Sequence, residues 1–140
     1  MTKLRISDSL SLPLDLVAES AFILFIKRMG KSYTARKIAE QLCGAGQQVV
    51  IVDPNGDWWG IRSAANGRDP GLPIVILGGE HGDVPLEVGS SELVANLVVR
   101  ERGSVLLDLS SLRKHQVSTS MTDFLKTIYR RKAKEEYRLR

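Results

Sequence analysis

An α/β fold with a mostly parallel sheet is predicted for this 140-residue chain from three observations. Short apolar runs alternate with helix-period stretches; Val49-Val50-Ile51-Val52 is a continuous apolar run of the kind a parallel strand covered on both faces needs. Met29-Gly30-Lys31-Ser32 stands where an apolar run meets an amphipathic helix pattern. That junction is a strand, a turn and a helix.

Each element follows in order. Leu4 to Ile6 is expected as a short edge strand, and a Pro13-containing linker runs through Leu16. Ala21 to Ile26 reads as the first buried strand. From Lys31 a helix groups Tyr33, Ala35, Ile38, Ala39 and Leu42 on one side, with Gly44 as its stop signal and Cys43 as a small core residue at its end. Gln47 to Asp53 is the second core strand. A long loop follows, broken by Pro54, Asn55, Gly56, Gly60, Gly67, Pro70, Gly71 and Pro73, and it carries Trp58 and Trp59. Ile74 to Leu77 is a third strand ended by Gly78-Gly79, and Ser91 to Glu101 is a helix with Leu93, Val94, Leu97 and Val98 in register. Val105 to Leu109 is a fourth strand. The final helix carries Val117, Met121, Phe124, Leu125, Ile128 and Tyr129 at helical spacing. Right-handed crossovers between parallel strands are the expected connection.

The length suits one domain, and 43% hydrophobic content fits an ordinary globule. The longest apolar runs are short and the N-terminus lacks the layout of a signal peptide, so a cytoplasmic protein with no membrane partner is expected. With one cysteine and two histidines there is neither an internal disulfide nor a cluster at metal-ligand spacing. The net charge of +4 is uneven. Arg113 to Arg140 holds nine Lys or Arg against three Asp or Glu, a local +6 that leaves −2 for the rest. A basic helix of this kind can track a phosphate backbone, pair with an acidic neighbour or be a solvated face.

Gly30-Lys31-Ser32 matches the second half of the phosphate-binding pattern G-x-x-x-x-G-K-[ST]. In that loop backbone amides wrap the phosphates, the lysine meets the β/γ-phosphates and the hydroxyl holds Mg²⁺. The helix behind it adds unpaired N–H groups and a positive dipole end. Gly30, Lys31, Ser32 and Tyr33 are therefore the candidate residues for ATP, with Ser32 also the candidate Mg²⁺ ligand. Phe25 stands where the first glycine belongs. Asp53 and Asp108 fall at strand ends, where ligands bind in such sheets. Asp108 fits a Mg²⁺ carboxylate and equally a cap of the turn at Ser110-Ser111; Asp53 fits a turn former and equally a base acting through water. The two tryptophans could stack on a base or pin the loop to the sheet edge.

Three segments together resemble a family: Gly30-Lys31-Ser32-Tyr33-Thr34-Ala35, Val49 through Asp53-Pro54-Asn55-Gly56-Asp57-Trp58-Trp59-Gly60, and Gly78-Gly79-Glu80-His81-Gly82-Asp83-Val84-Pro85-Leu86. They are similar to the ATP-binding core of bacterial HerA-like ATPases of the HerA/FtsK group. The resemblance spans nearly the whole chain and implies a three-layer, RecA-like P-loop NTPase core, a hexameric ring around DNA, and nucleotide held by Lys31 and Ser32. It also implies glycine where Phe25 and Arg28 stand. The family's Asp-Glu pair for Mg²⁺ and water lies on a further strand, which would begin about where the chain stops at Arg140, so the core reads as truncated before its Mg-carboxylate strand. By that resemblance Asp108 is not the metal carboxylate. A DNA translocase or helicase-type ATPase core, inactive as this chain alone, is one expectation. A non-hydrolysing degenerate P-loop module for subunit or nucleic-acid contacts is the other, and a small kinase or GTPase using Asp108 lacks both a base-recognition motif and an arginine-rich lid. Without its next strand, the fourth strand or a neighbour is expected to form an apolar edge that invites self-association.

Overall fold

The computed structural model describes residues 3–18, 31–64 and 66–138, so the strand expected over Ala21 to Ile26, with Phe25, Arg28 and Gly30, lies outside the described residues. The chain divides into two compact units, Met1–Val49 and Val50–Arg140.

In the first unit, β1 (Lys3–Arg5) and β2 (Ser11–Pro13) form an antiparallel hairpin that pairs Leu4 with Leu12. The stretch expected as a linker is thus partly a strand. Pro13 is tolerated because it ends an edge strand, where its missing N–H leaves no ladder bond unmade. Ser7 closes the hairpin turn, its hydroxyl accepting from Leu10 N–H at 3.1 Å, and Arg5 pairs with Asp8 at 2.7 Å. Leu4 is fully buried. A 3-10 turn, Leu14–Ala18, follows.

Helix α1 (Lys31–Gly44) packs against β1, and the Gln41 side chain accepts from Arg5 N–H at 3.2 Å. Ala39 is buried and Ala35, Ile38 and Leu42 are half-buried, as the periodicity predicts. Tyr33 departs from it. One turn from the helix start, its ring is 73% exposed. Cys43 is half-buried rather than a core residue. The helix ends at Gly44 as expected, and Gly46 beyond it makes the cap: with φ +74° it lets Gln47 N–H reach Leu42 C=O at 2.9 Å and Gly46 N–H reach Cys43 C=O at 3.0 Å. This pair of bonds satisfies carbonyls that the helix leaves open, and a left-handed glycine makes it possible.

The second unit is an α/β layer structure. Strands β3 (Val50–Asp53), β4 (Val75–Leu77) and β5 (Val105–Asp108) form a parallel sheet in the order β3-β5-β4. The registers set Val50 and Val75 opposite Val105, and Asp53 opposite Asp108. Every residue of β5 is buried, so the expected fourth strand lies in the middle of the sheet instead of at its edge. Side chains alternate between faces. Leu77, Val105 and Leu107 join Val94, Val98, Val99, Leu109 and Phe124 in one core, while Ile76 and Leu106, on the opposite face, are buried as well.

Two helices supply the rest of that core. The helix predicted over Ser91 to Glu101 is α2 (Ser91–Ala95) followed by a π-helical turn, Asn96–Arg100, in which Glu101 N–H bonds to Asn96 C=O at 3.1 Å. The buried face carries Val94, Ala95, Val98 and Val99, and Leu93, expected on it, is 45% exposed. Helix α3 (Lys114–Arg138) packs on α2 through Val117, Met121, Phe124 and Ile128; Leu125 and Tyr129, expected on the same stripe, are exposed. No helix among the described residues is long and apolar enough to cross a membrane.

Candidate functional site

Two places carry the residues singled out above. The first is the start of α1. The helix opens at Lys31, directly after Gly30, and no acidic residue sits in its first turn to neutralise the positive end of the dipole. Ser32 and Tyr33 are exposed there. The helix end is therefore positive, with no carboxylate beside it to offset the dipole. Gly30, Phe25 and Arg28 lie outside the described residues.

The second place is the carboxyl edge of the sheet, where β3 and β5 bring Asp53 and Asp108 side by side. Both are almost completely buried. Three of their four oxygens, however, are already hydrogen-bonded. Asp53 Oδ1 accepts from the N–H groups of Asn55 at 3.1 Å and Gly56 at 3.0 Å, and Oδ2 accepts from Trp58 N–H at 2.8 Å. One carboxylate thus gathers three amides of the β3–β4 loop. Asp108 Oδ1 accepts from both the N–H of Ser110 at 2.9 Å and its hydroxyl at 2.5 Å. The other oxygen of Asp108 occupies the space where a Cβ of residue 79 would stand, and Gly79 has φ +67°. Only glycine meets both conditions.

Of the two roles open to each aspartate, the loop-forming role is the one with geometry behind it. Neither side chain offers a vacant pair of oxygens for a metal, and no group of three or more His, Cys, Asp or Glu among the described residues could hold one.

The segment after β4 also has a defined architectural task. Gly78 N–H bonds to Val84 C=O at 2.9 Å, and Ile76 exchanges two bonds with Asp83: its C=O accepts from Asp83 N–H at 2.8 Å and its N–H donates to Asp83 Oδ2 at 2.9 Å. Asp83 Oδ1 accepts from Arg62 at 2.6 Å. The Ile76 amide and then the Arg62 guanidinium hold the Asp83 carboxyl below its ordinary value, against a smaller opposing effect of burial. Arg62 belongs to a 3-10 turn, Trp59–Arg62, inside the long loop.

Trp59 stacks on His81 with centroids 4.0 Å apart and planes 26° from parallel, so the ring ties the β3–β4 loop to the segment after β4. This is the pinning role. Sequence reasoning missed His81 and Arg62 because their partners lie 22 and 21 residues away, and no local pattern signals such a pairing.

No protein-family model, curated protein or solved structure matches this chain.

Proposed function

We propose that the chain is the nucleotide-binding part of a HerA-like, RecA-type ATPase core, binding the phosphates of ATP through a partly degenerate P-loop and working in an oligomeric ring on DNA. The observation that carries this reading is the start of α1 at the lysine of Gly30-Lys31-Ser32, with no acid in its first turn and Ser32 and Tyr33 exposed. In this reading the first amides of α1 and the Lys31 ammonium hold the phosphate charge, the Ser32 hydroxyl faces Mg²⁺, and Tyr33 flanks the nucleotide. Mg²⁺ would neutralise charge on the transferred phosphoryl group. The parallel sheet with acids at its carboxyl edge agrees with this class of core.

A second reading is a non-hydrolysing module that keeps the fold for subunit or nucleic-acid contacts. The engagement of both Asp53 oxygens by loop amides and of Asp108 Oδ1 by Ser110 favours it, since these atoms already serve the loops.

Titration calorimetry with ATP and ADP, with and without Mg²⁺, tests the nucleotide site. Weak binding is expected, tightened by the double variant Phe25→Gly, Arg28→Gly and lost in Lys31→Ala; equal affinity of Lys31→Ala and the parent sinks the assignment. A phosphate-release assay on this chain should show no turnover above background. Turnover abolished by Asp108→Asn would instead establish a compact kinase-like or GTPase-like enzyme.

A further inference from the structure

Helix α3 is longer than the layer it covers. At 1.5 Å per residue its 25 residues span roughly 37 Å, whereas four-residue strands reach about 13 Å. Its last apolar contact with the core is Ile128, so the turns beyond it run on without that packing. The strand β5 rises toward Asp108 and α3 returns from there, which takes these turns toward the amino edge of the sheet, away from Asp53 and Asp108.

There they meet the end of the π-helical turn and form a cleft of about 910 Å³. Arg100, Arg130, Arg131 and Lys134 line it, with Glu92 and Glu135. Arg131 is paired with Glu92, while Arg100, Arg130 and Lys134 have no ion-pair partner among the described residues. The lining charges sum to +2, and the paired Arg131 and Glu92 cancel. Arg130 and Lys134 stand one helical turn apart, about 6 Å along the axis. The pair therefore sets two positive charges in a row along the cleft, as a chain of phosphates requires.

We propose that this cleft binds the phosphodiester backbone of a nucleic acid. A folded protein partner would ask for an apolar, aromatic-rich centre, and here the only apolar side chains are Val99 and Ala133. Nucleic-acid interfaces are more polar and far more positive. With no aromatic ring among the described lining residues, bases have nothing there to stack on, so recognition is of the backbone and independent of sequence. The proposal deepens the DNA part of the reading above, to which it adds a location, and it is independent of Lys31.

The test is fluorescence anisotropy of the full chain with a labelled mixed-sequence oligonucleotide, single-stranded and duplex, across a salt series and without nucleotide. Arg100→Gln with Lys134→Gln should weaken duplex binding about tenfold and flatten the salt dependence by about 1.8 in log–log slope. Lys126→Gln with Lys132→Gln removes the same charge from exposed positions on α3 outside the cleft, and should change affinity less than about twofold. Far-UV circular dichroism checks that both variants keep their helices. Equal losses in the two variants, or no binding by the parent at low salt, overturn the site. Poly-glutamate binding as tightly as the oligonucleotide overturns the choice of partner. ATP binding that persists through Lys31 in a chain that ignores nucleic acid would leave the nucleotide reading standing and remove only this one.

Discussion

Replacing Asp53 by alanine should loosen the β3–β4 loop rather than remove a reactive group. The carboxylate accepts three N–H groups, from Asn55, Gly56 and Trp58, at 3.1, 3.0 and 2.8 Å. Bonds to a charged acceptor contribute about 1.5–3 kcal/mol each, which sets a ceiling of roughly 5–9 kcal/mol. The loop is close to solvent. Asn55 is exposed and Gly56 and Trp58 are half-buried, so released amides recover much of this from water and the expected loss is about 3 kcal/mol. Against a typical domain stability of about 5–15 kcal/mol that is a large fraction.

The isostere separates geometry from charge. In Asp53→Asn the amide oxygen can still serve Asn55 and Gly56, but the NH₂ group then faces Trp58 N–H, donor against donor. A loss of about 1–2 kcal/mol is expected, clearly below that of alanine. Trp58 and Trp59 are the only tryptophans in the chain and both sit in the clamped loop, so urea unfolding followed by their fluorescence reads the change directly. An alanine variant within about 0.5 kcal/mol of the parent, with unshifted emission, would refute the clamp.

Two further outcomes rest on backbone strain and on a strand edge. Gly46→Ala meets open space at φ +74° and should cost about 1–2 kcal/mol, whereas Gly79→Ala adds an overlap with the locked Asp108 carboxylate and should cost well above that; equal midpoints in thermal melts would contradict the crowding. Asp83 has its carboxyl held below the ordinary value, so its contribution is complete above about pH 3.9 and fades as pH falls through the lowered folded-state value. Asp83→Asn should therefore lower stability at neutral pH and flatten its decline below about pH 4, and a parent-like acid limb in that variant would show that the Ile76 and Arg62 bonds do not govern it.

The parts of the fold that were legible are those in which one stretch of chain carries its own signal. Val50–Asp53 and Val105–Asp108 announce themselves as apolar runs ending in a carboxylate, and α1 and α3 as periodic stripes. The hairpin strand Ser11–Pro13 was hidden by its proline, which reads as a breaker until the edge position is known. Gly44 and Gly46 are equivalent in sequence; φ alone tells which one takes the left-handed capping position. The π-turn needs a bond from Glu101 back to Asn96, and side-chain periodicity carries no trace of it. At the sheet edge both aspartates were identifiable as special, but the choice between metal ligand and loop clamp turned on Ser110 and on three amides, which only the folded backbone positions.

The bonds that Asp83 and Val84 make to β4 close that flank of the sheet to growth. Ile76 spends its outward N–H and C=O on Asp83, Gly78 gives its N–H to Val84, and β5 is enclosed between its two neighbours. Lateral extension through β4 would first have to peel that segment away, together with its anchor to Arg62. An additional strand from another polypeptide can therefore join beside β4 only by displacing that segment. A sheet closed on one flank cannot propagate by stacking copies of itself edge to edge on both sides.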